Sequence, residues 1–197
     1  MDAPTWDDSA EVLEPALITR TSSELLGRRP LPRVLRERPV LFVLGPPGVG
    51  KTAVARRVLS EMPGTVEASF QNAVVAAVRA GWSRQLREAP GLLFDDVDCL
   101  HERHGPQDLL RSLVRERALA GRRTVLCQGH DADHSVTLLF EKIPLALRAS
   151  LLVRFPVGRG RRRHVAARCA DRGLPFSLAR EAVVMEPWSY ELVERFL

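Results

Sequence analysis

The chain has 197 residues, 45% of them hydrophobic and 27% charged, which suffices for one domain with its own core. No uncharged apolar run approaches the roughly 18 residues of a membrane span, and the acidic start Met1-Asp2-Ala3-Pro4-Thr5-Trp6-Asp7-Asp8 lacks the basic and apolar parts of a secretory signal. Cys99, Cys127 and Cys169 are too few, and odd in number, for a disulfide framework, so a reducing cytoplasm is the expected location.

The formal net charge is +5 and almost all of the positive charge is arginine; the only lysines are Lys51 and Lys142. The arginine excess has two readings. It reflects the codon bias of a GC-rich genome, or it forms a basic surface for nucleic acid or an acidic partner.

Residues 1–22 read as an acidic, partly disordered lead. Residues 22–32 read as a short helix and a turn, after which 34–38 carry the chain to the first core strand. Val40-Leu41-Phe42-Val43-Leu44 has the continuous apolar character of a buried parallel strand. Gly45-Pro46-Pro47-Gly48-Val49-Gly50-Lys51-Thr52 follows it and fits G-x-x-x-x-G-K-[ST], the P-loop or Walker A pattern. A helical stretch, 53–59, comes next, so the motif stands in the strand–loop–helix context that gives it meaning. Its glycines let backbone N–H groups wrap a phosphate chain, and the helix N-terminus adds positive potential. Lys51 is expected on the β- and γ-phosphates and Thr52 on Mg²⁺.

Val66-Glu67-Ala68 is a candidate second strand. Phe70, Val74, Val75, Val78 and Leu86 keep helical spacing. Gly91-Leu92-Leu93-Phe94-Asp95-Asp96 reads as a third strand ending in acids. Residues 106–120 form an amphipathic helix, with Leu109, Leu110, Leu113, Val114 and Ala118 on one face and Arg/Glu on the other; Gly121 closes it. Thr124-Val125-Leu126-Cys127 is a fourth strand. Residues 136–147 read as partly helical, and 150–155 as a fifth strand. Residues 160–172 are helical and Arg-rich. Two short helices separated by Pro187 complete the chain.

Alternating strands and helices imply an α/β protein of the P-loop NTPase type: a five-stranded parallel sheet with helices on both faces and a short helical lid. The domain expectation is a lead over 1–22, a nucleotide-binding core over 23–155 and a lid over 156–197. Phe94-Asp95-Asp96-Val97-Asp98 has Walker B character, because a buried strand delivers acids at its C-terminal end, where ligands sit in open α/β sheets. Asp95 is expected to hold Mg²⁺ opposite Thr52, and Asp96 to polarise an attacking water.

These motifs, taken with residues 70–88 before Walker B, resemble the AAA+ ATPases, and within them the branch of the bacterial replication initiator DnaA. The Asp-Asp form of Walker B is that branch's form. Gln107 to Gly121, leading into Arg123-Thr124-Val125-Leu126, is similar to the branch's helix and sensor-1 strand. Leu151-Leu152-Val153-Arg154-Phe155-Pro156, the basic helix and Asp171-Arg172-Gly173-Leu174 resemble the entry to an AAA+ lid. The resemblance covers about residues 38–176. It implies ATP and Mg²⁺ as ligands.

Departures from the pattern refine the expectation. With the sequence ending at Leu197, no helix-turn-helix DNA-binding domain is expected, and the chain is most like the branch's short members: Hda-type regulators, helicase loaders and transposition helper ATPases. No clamp-binding peptide is found near the start. At sensor 1 the sequence reads Cys127-Gln128-Gly129-His130-Asp131, leaving Gln128 or Asp131 as the polar substitute. Trp188-Ser189-Tyr190-Glu191 stands where a sensor-2 arginine is usual, and Arg195 comes late. Arg148, with Arg154 second, is the candidate arginine finger for a neighbour's γ-phosphate.

The leading reading is an ATP-binding, nucleotide-controlled regulator or loader that acts through a protein partner and hydrolyses ATP slowly. Alternatives are a nucleotide-binding scaffold with little turnover and a small P-loop kinase. The Arg-rich helix from Arg159 through Arg161, Arg162 and Arg163 to Arg172 is a nucleic-acid candidate and, equally, a solvated lid helix. Self-association is left open, and no membrane partner is expected. Two Cys/His groups, Cys99-His101-His104 and Cys127-His130-His134, have unfamiliar zinc spacings; His130 or His134 near the nucleotide is the alternative role.

Overall fold

The structure is a computed structural model describing residues 17–27, 30–95, 97, 104–129, 143–155 and 159–174. The strands are β1 (Leu17–Thr21), β2 (Val40–Gly45), β3 (Val66–Ser69), β4 (Gly91–Asp95), β5 (Arg123–Gly129) and β6 (Arg148–Arg154). The helices are α1 (Ser22–Leu26), α2 (Arg33–Glu37), α3 (Lys51–Leu59), α4 (Phe70–Ala80), α5 (Arg84–Glu88), α6 (His104–Leu119) and α7 (Arg159–Asp171). A single turn of 3₁₀ helix, Leu145–Leu147, leads into β6.

All pairings are parallel, in the order β1-β6-β2-β5-β4-β3. The sheet therefore has six strands where the sequence reading expects five. The extra one is β1. Residues 17–21, expected in a disordered lead, pair along β6 from Leu17↔Ser150 to Thr21↔Arg154. β1 supplies the hydrogen-bond partners along the edge that β6 would otherwise present to water, and becomes the short edge strand in its place. Thr21 then ends the strand and starts α1 through a capping box with Glu24. The segment before β2 is also helical, as α2 buries Leu35 completely.

Side-chain alternation along the central strands divides the core in two. Phe42, Leu44, Phe94 and Leu126 face α4 and α6, meeting Phe70, Val74, Leu110, Leu113 and Val114. Leu41, Val43, Leu93, Val125 and Leu151 face α1–α3, meeting Leu25, Leu35, Val54 and Val58. The first layer contains an aromatic cluster: Phe94 meets Phe70 edge-on at 5.2 Å and Trp82 at 5.8 Å. Trp82 Nε1 donates to Leu109 O at 2.9 Å, so its one polar atom is satisfied.

Arg117 corrects the helical-face reading of α6. It is 0% exposed and lies on the apolar face, seven residues from Leu110. Its guanidinium donates to Leu86 O (2.6 Å), Arg87 O (3.2 Å), Thr124 Oγ1 (2.9 Å) and Arg123 O (2.6 Å). One side chain thereby ties α5, α6 and the start of β5 together. Burial lowers its pKa from the ordinary guanidinium range to about 10.

Candidate functional site

The P-loop leaves the C-terminal end of β2, one of the two central strands of the sheet, with β6 and β5 on either side. Gly45 is required at this exit: its φ is +155°, and a Cβ there would lie 2.5 Å from Val153 O. Gly48 (φ 72°) and Gly50 (φ 89°) adopt left-handed conformations that other residues avoid. Gly50 is also the N-cap of α3 and makes no side-chain cap. The first N–H groups of that nine-residue helix therefore face the loop's concavity without a capping oxygen, which is the arrangement that receives an anion.

Lys51 and Thr52 are the first two residues of α3. The Lys51 ammonium donates back to Gly45 O (3.0 Å) and Pro46 O (3.2 Å), at the mouth of the loop. Thr52 Oγ1 donates to Asp95 Oδ2 at 2.7 Å. Asp95 ends β4 and shares a sheet face with Leu93, the face covered by α3. Strand alternation thus sends the carboxylate toward the helix that carries Thr52. A hydroxyl and a carboxylate at this separation, beside an uncapped helix N-terminus, fit the oxygen-rich needs of Mg²⁺ on a nucleotide. Gly45, Pro46, Pro47, Gly48, Val49, Gly50, Lys51, Thr52 and Asp95 all fall within this one locus.

Sensor-1 candidate Gln128 is 6% exposed on β5. It lies in register with Leu44, directly before the P-loop, so it is at the right end of the sheet. Asp96, Asp131, His101, His130, His134 and the sensor-2 region lie outside the described residues. So do Cys99 and the His104 side chain, while Cys127 is fully buried on β5. Among the described residues no group of His, Cys, Asp and Glu is arranged to hold a metal ion.

Arg148 is the first residue of β6, in register with Val40 at the N-terminal end of β2. It therefore lies at the rim opposite its own P-loop. Arg154, at the other end of β6, is exposed.

A feature missed by the sequence reading is the Arg56–Glu67 pair beside this locus, bidentate at 2.8 and 2.6 Å. Arg56 holds the Glu67 carboxyl below its ordinary range. It clips α3 to β3. Arg56 lies on α3 and Glu67 on β3, and i,i+11 spacing across a turn carries no recognisable signal.

The shape of the whole chain identifies its fold. A crystal structure of a DNA replication initiation factor superposes with a TM-score of 0.63 at 16% identity, covering 82% of this chain and 54% of that one. Domain III of the Thermotoga maritima replication initiation protein DnaA gives 0.62 at 18% identity, covering 80% and 73%. The replication initiator DnaA bound to AMPPCP and single-stranded DNA gives 0.66 at 16%, covering 89% and 59%.

The chain has the DnaA-like AAA+ P-loop fold.

It spans about half the length of the first of these structures. No family model matches the sequence, and no curated protein matches it. No helix among the described residues is long and apolar enough to cross a membrane.

Proposed function

We propose that this AAA+ protein binds ATP·Mg²⁺ at the P-loop and uses the nucleotide to control its engagement with a protein partner, as a regulator or loader in DNA replication. The observation that carries the reading is the Thr52–Asp95 contact at 2.7 Å beneath an uncapped α3 N-terminus. It sets a hydroxyl from the start of α3 against a carboxylate from the end of β4, which supports reading the two as one metal-nucleotide site.

The residues divide the work. The backbone N–H groups of 45–52 and the N-terminus of α3 wrap the phosphates. The Lys51 ammonium exchanges its two loop carbonyls for β- and γ-phosphate oxygens. Thr52 and Asp95 hold Mg²⁺, which supplies positive charge to the phosphates when bound. Asp96, one residue past Asp95, orients and polarises the attacking water. Arg148 of one chain reaches the γ-phosphate of another, so turnover depends on self-association or a partner. A nucleotide-gated contact with single-stranded DNA, the ligand of the initiator structure described above, is part of the same reading.

The test is ATP turnover by the wild type and Asp96→Asn, with and without single-stranded DNA. Slow turnover that DNA or a partner stimulates and Asp96→Asn abolishes supports the reading. Turnover unaffected by the substitution sinks it.

A further inference from the structure

At the rim of the sheet opposite the P-loop, the end of α2, the end of α3 and the start of β5 enclose a cavity of about 230 Å³. Arg36, Arg57, Arg123, Leu31, Ser60 and Glu61 are among its lining residues. Arg123 is the unusual one. It is 4% exposed, and its Nη1 donates to Arg36 O at 2.6 Å. Its Nε and Nη2 are shut off from water with no hydrogen-bond partner, and among the described residues it forms no ion pair. Buried guanidinium nitrogens without acceptors are costly, and such groups are normally paired. Burial alone lowers the Arg123 pKa, with no nearby carboxylate acting against it. Glu61 is the acid among the lining residues, and it is exposed.

We propose that this cavity is a second anion site, taking a small oxyanion, phosphate or carboxylate, on Arg123, Arg36 and Arg57. Guanidinium groups bind such oxyanions through paired N–H donors. Two sources carry this chemistry. One is a free phosphate-bearing or carboxylate-bearing molecule. The other is this chain's own start, where Asp2, Asp7, Asp8, Glu11 and Glu14 occur with no Lys or Arg through residue 16. β1 begins at Leu17, paired with Ser150 near the start of β6.

The test is calorimetric titration of inorganic phosphate into the full chain carrying Lys51→Ala, which weakens the P-loop site. The expected result is saturable binding that falls about tenfold or more when Arg123→Gln or the exposed Arg36→Gln is added. Arg36→Gln keeps the test meaningful where Arg123→Gln disturbs folding. No saturable binding, either in this chain or in one with its acidic start neutralised, or binding within twofold of the parent in both variants, overturns the proposal. Tighter phosphate binding in a full chain with Asp7→Asn, Asp8→Asn, Glu11→Gln and Glu14→Gln identifies the acidic start as the competing occupant. Unchanged, Arg-dependent binding in that chain identifies a free anion.

Discussion

Thr52 and Asp95 are 43 residues apart in sequence and joined by a 2.7 Å hydrogen bond between hydroxyl and carboxylate. One opens the helix after β2 and the other ends β4. These strands are separated by β5 in the sheet, so only the completed topology brings the two oxygens together. The Thr52–Asp95 pair is thus a product of the fold, whereas the glycine loop is local to residues 45–52.

Thr52→Ala and Asp95→Asn are each expected to weaken ATP binding by about 10–100-fold in the presence of Mg²⁺ and far less in its absence. The two changes act on one cluster, so the double variant falls short of the product of the singles, with a coupling of about 0.5–3 kcal/mol. Titration of a fluorescent ATP analogue with and without Mg²⁺ reads both effects. Equal losses in the two conditions would remove the metal role.

Gly45→Ala is expected to destabilise the fold by about 2–4 kcal/mol, since it adds a Cβ against backbone and strains φ. Gly81→Ala shares the positive φ but meets nothing within 4 Å. It is expected to cost only about 1–2 kcal/mol. Urea unfolding of the two variants compares them, and equal losses would contradict the close approach of Val153 O.

Arg117→Met keeps the apolar stem and removes the donors to Leu86 O and Arg123 O, while Arg87 O keeps its bond from Arg122 Nη1. Each buried acceptor left without a partner costs about 1–3 kcal/mol, so a loss of several kcal/mol is expected. Denaturant midpoints measure it. A neutral outcome would mean that water replaces the guanidinium.

The Glu67 carboxyl is held below its ordinary range by the hydrogen bond from Arg56. A depressed acid stabilises the fold above its unfolded value and loses that contribution as pH falls through the folded value. Glu67→Gln is therefore expected to flatten the acid limb of stability below about pH 4.5. Because the pair is 41–62% exposed, the change is small, about 0.2–1 kcal/mol. Thermal midpoints of the two proteins from pH 6 to 3 show it as converging curves.

Much of this was legible in the sequence for a physical reason. β2 and β4 are continuous apolar runs because parallel strands are covered on both faces, and the glycines of the P-loop are forced by its positive φ angles. β1 was not legible: Leu-Ile-Thr-Arg-Thr is short and mixed, and becomes a strand only because β6 offers an edge. α2 is similar, five residues long and held by Leu35. Arg117 was misplaced because residue type was allowed to override its spacing from Leu110. Arg123 sat one residue outside the expected strand, and its burial depends on α2, which the sequence did not announce. The Thr52–Asp95 meeting was inferred from motif order rather than from any local pattern.

The most direct measurement of the central claim is calorimetric titration of ATP·Mg²⁺ into the wild type and Lys51→Ala. The account predicts saturable binding of one nucleotide per chain in the wild type and its loss in the variant. No binding by the folded wild type, or equal binding by both, would contradict the P-loop as the nucleotide site.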